Sequence, residues 1–211
     1  MIELDIFSDT VCPWCYIGKK RLEKAINDHK NIEFKQTWRP FQLNPGMPPD
    51  GMDRQEYLIS KFGSADAAKT IYDNIYDEGV VEGINFNFDS IQTTPNSFNS
   101  HRLLALAYKQ GIQENVLDSL FESYFLNGED IGDPNILLDI AIKHQIDAED
   151  FKTYLSDQEN IEPLANEEIE ARKMGINSVP TFIVNKQIVI NGAQTSENFD
   201  IIFKKLTNNI N

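Results

Sequence analysis

Long apolar runs are missing from this chain of 211 residues. No stretch approaches the ~18 apolar residues of a membrane-spanning helix. The opening Met1 to Phe7 reads as a strand, not as a basic segment leading into an apolar one, so no secretory leader is expected. The expected location is cytoplasmic, with no membrane partner. Positive charge is also scarce: 19 Lys and Arg stand against 33 Asp and Glu, a net charge of −14. That argues against a surface built to neutralise nucleic-acid phosphates. Gly (11) and Pro (9) are not in excess, which excludes collagen-like and low-complexity chains. With 41% hydrophobic and 10% aromatic residues, a sizeable core is available for one large domain or two small ones.

The shortage of base is local. Between Gln113 and Glu170, 16 acidic residues face only Lys143 and Lys152, while the rest of the chain is balanced at 17 against 17. Such a run reads first as a solvated helical face and second as a docking surface for a basic partner.

Cysteine is nearly absent. The two that exist form Cys12-Pro13-Trp14-Cys15. A structural disulfide over so short a loop would stabilise little. Zinc would need further ligands, and His29, His101 and His144 lie far apart without ligand spacing, so no metal is expected. A redox-active dithiol remains, with its own disulfide as the only cofactor.

The chain opens as β-α-β. Ile2 to Phe7 alternates as a strand should, Pro13 to about Asp28 has a helical period, and Ile32 to Leu43 is extended. Pro13 suits a first helical turn, with Ser8-Asp9-Thr10 offering turn and cap chemistry before it. The middle reads as helices: two over Asp53 to Val81 joined near Gly63-Ser64, then Asn96 to Gln110, Glu114 to Leu126, Pro134 to His144 and Ala148 to Leu155. Asn96 and Asp133 suit caps, and Ile84 to Phe88 reads as a short strand or extended link. A helix from Asn160 to Met174 precedes a hairpin, Phe182 to Val184 and Gln187 to Ile190 around an Asn185-Lys186 turn. A closing helix runs from Ser196, its expected cap, to Leu206.

At a helix start, Cys12 would face unpaired backbone N–H groups and the positive end of the dipole, which favour a thiolate. Cys15, one turn later on the inward face, would be less exposed. Cys12 is therefore expected to attack and Cys15 to resolve.

Three segments carry a resemblance: Ser8-Asp9-Thr10-Val11-Cys12-Pro13-Trp14-Cys15-Tyr16-Ile17-Gly18, Asn96-Ser97-Phe98-Asn99-Ser100-His101-Arg102-Leu103 and Gly175-Ile176-Asn177-Ser178-Val179-Pro180-Thr181-Phe182. With these the chain resembles the DsbA-like branch of the thioredoxin superfamily, near its FrnE-type members. The resemblance implies an α/β thioredoxin fold interrupted by an all-helical insertion, with residues 1–52 and 160–211 in the first and 53–159 in the second. It implies thiol–disulfide exchange in the cleft between them, a cis Pro180 facing the dithiol, and Val179 presenting its backbone to an extended substrate. The Pro13-Trp14 pair differs from the Pro-His of DsbA itself, so strongly oxidising behaviour is not expected. Partners would be a disulfide-containing protein or peptide and a thiol reductant such as glutathione or a thioredoxin-type protein.

Other residues carry two readings each. Asp5 stands where thioredoxin-like proteins bury an acid beneath the resolving cysteine, provided one residue loops out near Asp9; otherwise it is an acid at the strand edge. Asp9 is a second proton-relay candidate, a helix cap, or a charge that opposes the thiolate. His101 is either a hydrogen-bonded structural histidine or a cleft residue touching substrate. Trp14 reads as a substrate-contact aromatic, and Trp38 and Arg39 as fold residues.

Two rival functions remain. One is a glutathione-dependent transferase or isomerase of the kappa-class or 2-hydroxychromene-2-carboxylate isomerase type. That branch shares the helical insert but typically carries serine for the first cysteine. The other is a non-enzymatic peptide-holding chaperone using the same cleft.

Overall fold

The computed structural model describes residues 1–208. The opening is β1 (Ile2–Ser8), α1 (Pro13–Asn27) and β2 (Phe34–Pro40). Next come β3 (Met52–Asp53), α2 (Arg54–Phe62), α3 (Ala65–Val81) and β4 (Thr93–Thr94). The helices α4 (Phe98–Lys109), α5 (Gln113–Phe125), α6 (Pro134–Lys143), α7 (Ala148–Ser156) and α8 (Ile161–Lys173) follow. The chain ends with β5 (Thr181–Val184), β6 (Ile188–Asn191) and α9 (Ser196–Asn208). The main sheet has the order β2-β1-β5-β6. Strand β1 pairs parallel to β2, from Ile2 with Phe34 to Ser8 with Pro40, and antiparallel to β5. Strands β5 and β6 close as a hairpin, with Asn185 and Lys186 at φ 50° and 56°, the left-handed pair that a two-residue turn requires.

Alternation along β1 sorts the two faces of the sheet. Ile2, Leu4 and Ile6 join Trp38, Phe182 and Val184 in the principal core, together with Cys15, Ile17 and Leu22 of α1 and Phe199 and Phe203 of α9. Phe7 points the other way, into a small cluster with Phe41, Ala171 and Ile176. The principal core continues without a break into α4, α5 and α6 through Leu103, Phe121 and Leu137. Tyr16 stacks on Phe121 (ring centroids 4.9 Å) and meets the edge of Phe86 (6.0 Å). Two cations tie α1 to the helices around it. Buried Lys19 pairs with Glu23 and, at 2.7 Å, with Asp118 of α5. Arg21 bridges Glu78 of α3 and Glu82, the residue that caps its C-terminus, and donates to the Ala193 carbonyl at 2.8 Å.

Local signals account for most boundaries. Gly63 (φ 87°) ends α2, the Ser64 hydroxyl accepts from Ala67 N at the start of α3, and Asp133 caps α6 ahead of Pro134. Of the two readings of Ile84 to Phe88 the extended link holds, up to a short turn, and two cap assignments need correction. Ile84 to Phe88 pairs with no strand: Ile84 N donates to Gly79 O and Asn87 N to Phe125 O, and a 3₁₀ turn covers Phe88–Ser90. Asn96 lies one residue before the cap of α4, which is Ser97, although its Oδ1 still accepts from Phe98 N at 2.9 Å. Ser196 already belongs to α9, where Thr195 Oγ1 takes the Asn198 N–H instead.

Candidate active site

Cys12 is the N-cap of α1, extended at φ −98° and ψ 111°, and no side chain caps the helix there. Its carbonyl accepts from Cys15 N at 3.0 Å, so the second thiol lies one turn along and inward. Both sulfurs are buried, Cys12 at 4% exposure and Cys15 at 0%, and neither is in a disulfide. Burial, reinforced by the Cys12 thiol beside it, pushes Cys15 well above the usual thiol range. The Asp9 backbone amide and the Ser8 hydroxyl pull the other way. Ser8 Oγ is buried without a hydrogen bond of normal geometry, so its hold on the sulfur is weak. Trp14, between the cysteines, is 36% exposed and is the aromatic surface at the helix start.

Across from the dithiol the Val179–Pro180 peptide bond is cis, and the Cys12 thiol points at the Val179 carbonyl, 3.8 Å away. Pro180 is buried and Val179 half-buried. The Pro180 carbonyl accepts from Gly192 N at 2.8 Å, whereas the Val179 N–H makes no hydrogen bond to a described residue. Gly18 allows this approach. A Cβ on Gly18 would stand 3.0 Å from Pro180 Cγ, 3.3 Å from Phe182 Cζ and 3.4 Å from Ala193 Cβ, so a side chain there would push α1 off the turn.

A buried polar layer fixes the loop between β1 and α1. Thr10 Oγ1 and Ser100 Oγ are 2.6 Å apart, and Ser100 also donates to the Ser97 carbonyl. Asp9 is fully buried. Its Oδ2 accepts from Leu43 N at 2.6 Å and its Oδ1 from Val11 N at 3.4 Å. Asp9 therefore ties the dithiol loop to the segment after β2 and does not cap α1. Its influence on Cys15 runs through its amide and favours the thiolate, against the opposing charge effect expected of it. Asn96 joins the same layer, donating to the Met47 carbonyl at 2.7 Å and accepting from Gln42. That Thr10, Ser100 and Gln42 meet in one layer was not legible in the sequence, since hydroxyls and amides carry no spacing signature.

For Asp5 and His101 the structure favours the structural reading of the two. Asp5 lies on the opposite face of the sheet from Cys15, paired with Arg39 at 2.8 Å, and Arg39 also holds Glu167 of α8. Strand β1 runs unbroken from Ile2 to Ser8, so Asp5 keeps the face opposite to Leu4 and Ile6. A relay from Asp5 to Cys15 has no path. His101 is 3% exposed, with Nε2 3.4 Å from Asp9 Oδ1 and no well-formed hydrogen bond. It belongs to the buried layer and only edges a small cavity beside Trp38 and Leu104. Trp38 is buried on the principal face, whereas Arg39 is partly exposed in its ion pairs. Among the described residues no cluster of His, Cys, Asp and Glu could hold a metal ion.

The chain superposes on a probable DsbA oxidoreductase, SCO1869 of Streptomyces coelicolor, with a TM-score of 0.87 and 29% identity, covering 97% of this chain and 89% of that one. It shares its fold with the 2-hydroxychromene-2-carboxylate isomerase (TM-score 0.70, 13% identity, 98% and 95% covered). It shares it also with the cytosolic disulfide reductase DsbM of Pseudomonas aeruginosa, solved with GSH (TM-score 0.68, 15% identity, 98% and 99% covered). The model of the DsbA-like thioredoxin domain matches residues 3–203. A sheet with the dithiol at its first strand-to-helix turn, and a match over nearly the whole length, make this chain a member of the DsbA-like thioredoxin-domain family.

Proposed function

We propose that the protein is a FrnE-type thiol–disulfide oxidoreductase acting on protein or small disulfides in the cytoplasm. The observation that carries this reading is the Cys12 sulfur at a helix N-terminus, facing the Val179 carbonyl, with a second thiol one turn behind it. Cys12 thiolate attacks a substrate disulfide, forming a mixed disulfide and releasing one substrate thiolate. Cys15 then loses its proton and attacks Cys12, releasing the second substrate thiol and leaving Cys12–Cys15 oxidised. Two electrons have passed to substrate, and a thiol such as glutathione or a thioredoxin-type protein restores the dithiol. Substrate lies extended beside Val179, pairing with its free N–H, and rests on Trp14, Pro13 and Pro180. In this reading residues 1–52 and 160–211 form the catalytic unit and residues 53–159 the helical insertion.

Insulin reduction and dithiol titration test it. Cys12→Ser should abolish exchange, and Cys15→Ser should accumulate a mixed disulfide. Client binding that survives Cys12→Ser, in a wild type without exchange, would instead favour a chaperone. Turnover of 2-hydroxychromene-2-carboxylate without exchange would favour an isomerase. In a glutathione-poised compartment the dithiol rests reduced, so the direction is reduction of clients. A reduction potential as oxidising as that of DsbA would overturn that direction.

A further inference from the structure

A cavity of about 480 Å³ opens between α2, α3 and the segment from Phe86 to Asp89, within the size range of small-molecule sites. None of Cys12, Trp14, Val179 and Pro180 lines it. Leu58, Ala68, Tyr72, Tyr76, Phe86 and Phe88 give it an apolar, aromatic wall. Lys69, Asp73 and Asp89 also line it, with Lys69 held by Asp73 at 2.8 Å. Arg54 stands in the cavity although it is only 6% exposed.

Burying a guanidinium is costly unless an acid or a full set of acceptors meets it. Elsewhere in the molecule that requirement is satisfied. Lys19 and Arg21 have carboxylates. Arg102, which forms no ion pair among the described residues, directs Nε, Nη1 and Nη2 to Asn160, Asn99 and the carbonyls of Tyr154 and Asp157. Arg54 differs. Among the described residues no carboxylate pairs with it, and its side-chain hydrogen bonds of good geometry all leave from Nη1, to Thr94 Oγ1 (3.1 Å) and the Tyr124 hydroxyl (3.4 Å). The guanidinium lies over Tyr72 at 4.9 Å from the ring centroid, which holds its plane. The Tyr72 phenol also approaches the guanidinium, as a partner too poorly aligned to replace an acid. This leaves the Nε–Nη2 edge without a hydrogen bond of good geometry among the described residues; that edge is the fork that matches a carboxylate in two parallel hydrogen bonds.

We propose that this cavity binds a small aryl carboxylate, its carboxylate on the Nε–Nη2 edge of Arg54 and its ring packed against Tyr72 and Phe86. The test is calorimetric titration of the reduced full-length protein with 2-naphthylacetate and with its uncharged counterpart, 2-(2-naphthyl)ethanol. The acid should bind one to one and at least about ten-fold tighter than the alcohol, about 1.4 kcal/mol. Arg54→Gln should erase that preference. Absence of acid binding to wild type, equal affinities, or a preference that survives Arg54→Gln would each overturn the proposal. Should Arg54→Gln not fold, Ala65→Trp decides, because Ala65 is an exposed residue lining the cavity and a bulky ring there blocks it. It should weaken acid binding at least about ten-fold and leave insulin reduction at the wild-type rate. Unchanged acid binding in Ala65→Trp would refute the site.

Discussion

On one face of the central sheet Ile2, Leu4, Ile6, Trp38, Phe182 and Val184 lie under α1 and α9 and merge with the aromatic residues of α5. On the other, Phe7, Phe41, Ala171 and Ile176 form a small cluster beside charged groups: Asp5–Arg39–Glu167, and Arg172 stacked 4.1 Å over Phe41 while paired to Glu168. Close packing is steep in distance, so it fixes positions to fractions of an ångström. Partly exposed ion pairs are shallow and screened. The dithiol is carried on the packed face, where Cys15, Gly18 and the Pro180 turn must keep their spacing.

Four experiments would break or sharpen this contrast. Phe182→Ala should cost most, about 3–5 kcal/mol in urea unfolding of the reduced protein, because the ring is fully buried against Phe199 and beneath Gly18. A loss below that of a surface residue would show that the packed face does not hold the site. Gly18→Val should cost about 1–3 kcal/mol by overpacking and slow insulin reduction, although a mid-helix glycine is itself unfavourable. The reduced protein should also lose stability as pH rises above 9.0, the ordinary thiol value. The folded pKa of Cys15 is raised, so its contribution is complete below the unfolded value and is lost on the way up through the folded one. Burial pushes the Tyr16 and Tyr124 phenols up as well and extends the loss above 10.0. Cys15→Ala should flatten the first part of that fall in urea titrations at successive pH values. Arg39→Gln should have the smallest effect, under about 1 kcal/mol, and leave exchange unchanged; a large loss of activity would mean that the ionic face does control the dithiol.

The long helices, the first strand and the hairpin were legible because periodicity over many residues integrates a weak signal. The two-residue strands β3 and β4 have no period to show. Ile84, Phe86 and Phe88 alternate as a strand would, yet the residues that bury them are on α1, α3 and α5, so the pattern records burial and not pairing. The Cys12-to-Cys15 spacing marked the candidate site, and its place at a strand-to-helix turn was legible from the flanking periods. The alternation of Leu4 and Ile6 already pointed Asp5 to the opposite face, in line with its reading as an acid at the strand edge. Arg54 left no trace in sequence, since an arginine at a helix start is unremarkable until its missing counter-ion is seen in three dimensions.

The closeness of Gly18 to Pro180, Phe182 and Ala193 also constrains how this sequence can drift. The four positions share one small volume, so a methyl gained at 18 must be surrendered at 182 or 193. Homologous chains should therefore covary in side-chain size at those sites, and a relative carrying alanine at 18 should carry glycine at 193 or a smaller residue at 182.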